Sequence, residues 1–368
     1  MSTNPLALFA YCQIPFGDSR ARREPLHLPL MVTNLSESDR DARARDVEAV
    51  AAAAADALVR IAGIVRRTPL VLSSRFSRET GAEVYFKLEN RQHTGSFKLR
   101  GAANCLMSLD AGQRQLGVVT ASSGNHGAAV AYAMRHLGIA GPIFVPVGTS
   151  EAKVDAIRRY GGEVRFFGTD GVDTERHARD YAVRHGMYYV SPYNDAAVIA
   201  GQGTCGIEIA DQLPDVDAAF IAVGGGGLMS GVGSVLKSRN PDLRLFGCQP
   251  AASAVMAKSV AAGKILDLPS ANTLSDGTAG GIETGSMTFA LCRSLVDEFL
   301  LVTEEEIATA MRDAIGDGDD VIEGAAGVAI AACRRFGPAL AGRRVAVIVC
   351  GGNIAEDTLA SVMSPARL

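Results

Sequence analysis

No two of the seven cysteines form a CxxC pair, and none lies beside a histidine cluster. Cys12, Cys105, Cys205, Cys248, Cys292, Cys333 and Cys350 are scattered singly. That spacing argues against a disulfide framework and a structural zinc site, and for reduced thiols in a cytoplasmic protein. No apolar run reaches the roughly 20 residues of a membrane helix. The first residues lack the charged start and apolar stretch of a secretory signal. Basic charge is not in excess either: 36 Lys and Arg stand against 40 Asp and Glu, a formal net charge of −4. Nucleic acid and anionic membranes are therefore poor partners. No fixed-period repeat is present, and the only low-complexity stretch is Ala51–Ala55. What remains is a 368-residue chain, 48% hydrophobic, with ample apolar surface for two packed lobes or one large α/β unit.

Residues 1–42 mix Pro, Ser, Arg and Asp without a period and read as a loosely ordered or accessory extension. From about Asp46 an Ala- and Leu-rich helical pattern runs toward Thr68-Pro69, where proline ends it. Beyond it, short β-branched runs (VYFKLE, GVVTAS, IFVPV, AAFIAV, LRLFGCQ, RRVAVIVC) alternate with Ala-rich helical stretches. That alternation predicts an α/β fold with mostly parallel sheets flanked by helices. Right-handed crossovers then bring the strand-to-helix loops to one edge, where such folds bind ligands.

Four of those loops carry chemistry. In ENRQHTGSFK, Lys98 follows a Thr-Gly-Ser turn at a helix entry, where the positive end of the helix dipole disfavours an ammonium and favours a neutral, reactive amine. Alone, a lysine is far more often a solvated surface charge. In TASSGNHG, residues Ser122 to His126 precede an Ala-rich helix, and free N–H groups with two hydroxyls suit a carboxylate. The plain alternative is an N-cap by Ser123 or Asn125. Gly224, Gly225, Gly226 and Gly227 open the helix that Leu228 continues; four glycines let amides approach a phosphate, and the lack of a following Gly-Lys-Ser/Thr disfavours a nucleotide P-loop. Finally, Cys350 ends the strand RRVAVIVC before Gly351-Gly352-Asn353, a place where a cysteine is ordinarily just a small buried residue.

Taken in order, TPL, KLENRQHTGSFKLRGA, ASSGNHG, GGEV, VIAGQGT, GGGGLMSG, SDGTAGG, EGAAGV and CGGN resemble the fold-type-II pyridoxal-phosphate enzymes of the serine/threonine dehydratase and serine racemase group. The resemblance spans Thr68 to Asn353. It implies two lobes, a larger one of residues 43–94 and 191–368 and a smaller one of 95–190, with the cofactor pyridoxal 5'-phosphate in the cleft. It further implies that Lys98 carries the cofactor, Phe97 packs on its ring, Asn125 meets the ring hydroxyl, and Gly224–Gly227 with Leu228 hold the phosphate. Cys350 stands where a Ser or Cys meets the pyridine nitrogen, and Glu323 opens the segment near it. Ser122, Ser123, Gly124, Asn125 and His126 would take the substrate carboxylate.

The implied reaction is a dehydratase (ammonia-lyase) reaction on L-threonine, L-serine or a related β-hydroxy amino acid, giving a 2-keto acid and ammonia. A neutral thiol at Cys350 suits elimination over transamination. Racemisation, with Ser123 acting opposite Lys98, is the main alternative. SDGTAGG and GCQP also resemble dehydratases of hydroxyectoine utilisation, and a PLP-binding protein without turnover is the remaining reading. Family members commonly form homo-oligomers. Where some members carry acidic metal ligands, this chain has Gln249 and Val255, so no divalent ion is expected there. The chain stops soon after Asn353, so the C-terminal regulatory domain of biosynthetic threonine dehydratases is not expected. The acidic run Asp317–Asp320 reads as a solvated loop.

Overall fold

A computed structural model describes residues 27–28, 37–318 and 320–364. Most of the expected N-terminal extension, residues 1–26 and 29–36, lies outside the described residues. The first helix, Glu37–Ile61, begins well before Asp46, its charged opening turns continuing into the alanine-rich stretch.

Among the described residues, eleven strands form two sheets. In chain order they are β1 (His27–Leu28), β2 (Leu70–Leu72), β3 (Glu83–Leu88), β4 (Val118–Ala121), β5 (Pro142–Val145) and β6 (Glu163–Phe166). They continue with β7 (Tyr188–Tyr189), β8 (Ala218–Ala222), β9 (Arg244–Pro250), β10 (Glu298–Val302) and β11 (Arg344–Val349). The larger sheet has the order β1-β10-β9-β8-β11-β3-β2, and the smaller β6-β5-β4-β7. The small sheet is wholly parallel. The large one is parallel except at its margins, where β1 runs against β10 and β2 against β3. Every residue of β8 is buried, which is why AAFIA reads as an unbroken apolar run instead of an alternating one.

The order of the large sheet decides where the site forms. β8, β11 and β3 are direct neighbours. Gly224 follows β8, Cys350 follows β11, and the Lys98 loop follows β3. Parallel strands deliver all three loops to one sheet edge.

The helix Ala196–Gln212 spaces two further elements, the helices Lys98–Ser108 and Gly227–Arg239. All three approach closely through glycine. A Cβ on Gly201 would strike the backbone of Arg100, and one on Gly231 would strike Ile199 and Gly203. The motif VIAGQGT is thus the spacer between the lysine helix and the glycine-loop helix.

A fully buried charge cluster fastens this spacer. Arg100 donates Nε to Glu89 Oε2 at 2.7 Å, Nη1 to Glu208 Oε1 at 2.7 Å, and Nη1 to Thr204 Oγ1 at 3.1 Å. Lys87 Nζ donates to Glu208 Oε2 at 2.6 Å, to Gln212 Oε1 at 2.9 Å and to the Thr68 carbonyl at 2.8 Å. Burial alone would raise the Glu89 carboxyl; the Arg100 guanidinium outweighs it and holds it below the ordinary carboxylate range. Two cations face two carboxylates, so the cluster is balanced. Arg100→Leu leaves a carboxylate in excess in the interior and is expected to lower unfolding stability by about 3–5 kcal/mol. Chemical denaturation measures it, and a loss near zero would show that the cluster relaxes without its arginine.

Candidate active site

Lys98 is the first residue of the helix Lys98–Ser108. Its Nζ donates to the Pro192 carbonyl at 2.8 Å and lies 5.2 Å from the centroid of the Phe97 ring. The Phe97 N–H donates to the Cys350 carbonyl at 3.0 Å, so the loops after β3 and β11 are joined directly at the lysine. Burial pulls the Lys98 pKa down from 10.5 to about 8, against the pull of Cys350 and Glu323. The helix entry expected from sequence is present, but burial is the largest cause.

Glu323 occupies the centre of the constellation. Its carboxylate accepts from Asn125 Nδ2 at 3.0 and 2.9 Å, and the Cys350 thiol points to Oε1 at 3.9 Å. Its own N–H donates to the Gly351 carbonyl at 3.0 Å. Burial raises the Glu323 pKa to about 7, against the hydrogen bond from Asn125, and burial likewise pushes the Cys350 thiol far up. The thiol is therefore neutral, as sequence alone requires for its suggested role. Asn353, left unassigned in the motif CGGN, donates Nδ2 to Asn125 Oδ1 at 2.6 Å and to the Thr94 carbonyl at 2.8 Å.

Two helix starts face the same space. Gly124 caps the helix Asn125–Leu137 without a side-chain bond, which removes the simple N-cap alternative for Ser123 and Asn125. The Ser122 hydroxyl instead accepts from the Gly124 N–H at 3.2 Å. His126 is buried and neutral: burial and Lys98 lower its pKa to about 3, and its Nε2 lies 3.0 Å from the Val190 carbonyl. Gly226 caps the helix Gly227–Arg239, again with no side-chain bond, at φ +87°. A Cβ on Gly225 would run into the Tyr193 ring, and one on Gly227 would sit 3.1 Å from Tyr193 Cα. The glycines attributed from sequence to phosphate approach thus also have a packing cause inside the protein. Leu228 buries its side chain in the core, so only its backbone is available to the cavity.

Lys98, Phe97, Ser122–His126, Gly224–Leu228, Glu323 and Cys350 all line one cavity of about 670 Å³ between the lobes. Tyr193, Asp276, Thr278 and Lys153 line it too. The motif SDGTAGG had signalled Asp276 and Thr278; nothing local signalled Lys153.

Gln249 uses both ends of its amide within the protein. Nε2 donates to the Val223 carbonyl at 2.9 Å, and Oε1 accepts from the Ala257 N–H at 2.7 Å. Val255 is a buried core residue. The acidic run is not simply solvated as sequence suggests: Asp317 meets Arg75 at 3.5 Å and Asp320 meets Arg91 at 2.6 Å, while residue 319 lies outside the described residues.

These groups fit pyridoxal phosphate. An amine of lowered pKa suits an aldehyde, an aromatic ring lies beside it, and an uncapped helix start behind a glycine loop suits a phosphate. A thiol and a carboxyl stand together where a ring nitrogen needs a polar neighbour.

Fold and site together define a two-lobed α/β enzyme fold around a buried lysine of lowered pKa. The profile of pyridoxal-phosphate dependent enzymes matches residues 61–351, and the chain belongs to that family. It is 40% identical over 300 residues to the L-threonine ammonia-lyase of Geobacter sulfurreducens, covering 81% of this chain and 74% of that protein. It is 37% identical over 304 residues to the L-threo-3-hydroxyaspartate ammonia-lyase of a Pseudomonas species, covering 83% and 95%. Among solved structures, the processed form of threonine deaminase isoform 2 from Solanum lycopersicum superposes with a TM-score of 0.83 at 32% identity, covering 95% of this chain and 99% of that one.

If Lys98 is the capturing amine, cofactor-free protein should take up pyridoxal phosphate faster as pH rises. Only the neutral amine attacks, so the rate should climb about tenfold per pH unit below the pKa and level off above about 8. Growth of the bound cofactor's visible absorption measures it, and a rate independent of pH contradicts the assignment.

Proposed function

We propose that this protein is an ammonia-lyase that removes water and then ammonia from L-threonine, L-serine or a related β-hydroxy amino acid. The carrying observation is the single cavity in which the Lys98 amine meets two uncapped helix starts. The names of the two enzyme relatives support the same reaction class.

The residues divide the work by chemistry. The Ser122–His126 loop, at the start of a helix with no side-chain cap, binds the substrate carboxylate through its amides. Gly224–Gly227 and the Leu228 backbone would hold the phosphate at the start of the helix Gly227–Arg239. Bound pyridoxal phosphate supplies an aldehyde that bonds amino groups and a ring that takes up electrons from the α-carbon. Lys98 Nζ, neutral in a large fraction near pH 8, removes the α-proton. Phe97 would pack against the cofactor ring, and Asn125 is oriented by Glu323 and Asn353. Cys350 would offer the ring nitrogen a neutral thiol, which favours expelling the β-hydroxyl over storing negative charge, and the hydroxyl would leave as water with the proton that Lys98 had taken up. The resulting enamine takes up water and falls to the 2-keto acid and ammonia.

Lobes of residues 43–94 with 191–368 and of 95–190 are supported by the two sheets, although β1 (His27–Leu28) joins the larger sheet from outside those bounds. A cytoplasmic setting is supported by the six described cysteines, all buried and unpaired. No helix among the described residues is long and apolar enough to cross a membrane. A homo-oligomer is supported by Val71 and Leu72, exposed on the edge strand β2.

Incubation with L-threonine, L-serine and L-threo-3-hydroxyaspartate should release a 2-keto acid and equimolar ammonia from at least one of them. Lys98→Ala should lower that rate by about a thousandfold or more while leaving the fold intact. Release of D-enantiomer without keto acid would replace the lyase reading with racemisation.

A further inference from the structure

The chain returns from the small lobe to the large one through Ser191-Pro192-Tyr193-Asn194, and every residue of this crossing is engaged. The Ser191 hydroxyl accepts from the Asn194 N–H at 3.0 Å. The Pro192 carbonyl accepts the Lys98 amine. Asn194 donates Nδ2 to Glu283 Oε2 at 2.9 Å and accepts from the Met287 N–H at 3.0 Å. Asp195 then caps the helix Ala196–Gln212, accepting from the Val198 N–H at 2.8 Å.

Tyr193 touches three parts of the site. Its ring fills the space that a Cβ on Gly225 would need, and its Cα and Cβ abut Gly227. Its hydroxyl accepts from the Glu283 N–H at 3.0 Å. Its peptide neighbour holds Lys98. Glu283 belongs to the irregular segment 265–286, which runs from the large lobe across the cleft. The small lobe grips that segment twice: Arg179 meets Glu283 at 2.6 Å and Lys153 meets Asp276 at 3.2 Å. Both ion pairs are partly exposed and contribute little singly. The Tyr193 hydroxyl bond is also part-buried, and it ties this segment to a side chain that packs against the glycine loop.

We propose that Tyr193 is a positioning residue with two separable duties. Its ring holds the glycine loop in register with Lys98, and its hydroxyl seats residues 276–286 over the substrate. The substrate arm of this inference rests on the lyase reading; the glycine-loop arm does not.

Two variants of the full-length holoenzyme separate the duties. Tyr193→Phe keeps the ring and loses the acceptor. It should bind cofactor as the parent does, speed amide exchange at Glu283 and its neighbours, and raise KM about tenfold with kcat within about twofold, the scale of one lost hydrogen bond. Tyr193→Ala loses both duties and should also weaken cofactor affinity about tenfold or more, a defect that Phe rescues. Parental exchange at Glu283 in Tyr193→Phe, or parental cofactor affinity in Tyr193→Ala, overturns the proposal. A parent enzyme that releases keto acid from no β-hydroxy amino acid sinks the lyase reading instead, and leaves the exchange and affinity measurements to decide the role of Tyr193.

Discussion

The reacting amine is only as well placed as the helix that begins with it, and that helix is held by Arg100. Two residues beyond Lys98, its guanidinium joins Glu89 in the same loop to Glu208 on the spacer helix. A buried charge is costly unless paired and fully hydrogen-bonded, so the arrangement tolerates little displacement. Glycine contacts set how closely the spacer can approach, and the charge cluster sets where along its length the lysine helix sits. Through Gly203 and Gly231 the same spacer supports the glycine-loop helix. The distance between the Lys98 amine and the glycine loop is therefore a property of helix packing, not of the loops themselves.

Much of this was readable in the sequence because its causes are local. Strand-helix alternation follows from the spacing of apolar residues, and the parallel sheet from that alternation. TGSFK, SSGNH and GGGG each mark a turn into a helix, and sheet order brings them together. Other features depend on residues far apart in the chain. Glu323 looked like a residue beside the site, yet it holds Asn125, from which it is separated by 198 positions. Gln249 looked like a lost ligand, whereas its amide joins the end of β8 to the helix Val255–Ala262. The closeness of Tyr193 to Gly225 arises only when the lobe crossing folds back on the loop after β8. The N-terminal boundary shows another limit: charge density in Glu37–Asp46 resembles an unstructured segment, and the alanine run behind it carries the helix backward through those residues.

Electrostatically, burial shifts the groups of the cleft toward their neutral forms. Burial pulls the amine of Lys98 and the ring of His126 away from their charged forms, and pushes Glu323 and Cys350 the same way. Formal charge is displaced to the mouth, where Lys153 and Asp276 pair in partial contact with solvent. A centre poor in fixed charge lets small changes on a bound molecule be felt strongly, since few ions compete with them.

The small sheet is inserted between β3 and β8, so the chain passes between lobes twice. One passage ends in Lys98 and the other contains Pro192 and Tyr193. The inserted lobe is consequently not a portable cassette. Grafting a segment that begins before Lys98 and ends before Pro192 into a related scaffold would carry the amine with the transplant and leave behind both its carbonyl acceptor and the tyrosine that packs on the glycine loop. A working chimera has to place its junctions outside both passages, with the host supplying neither half of the lysine's surroundings alone.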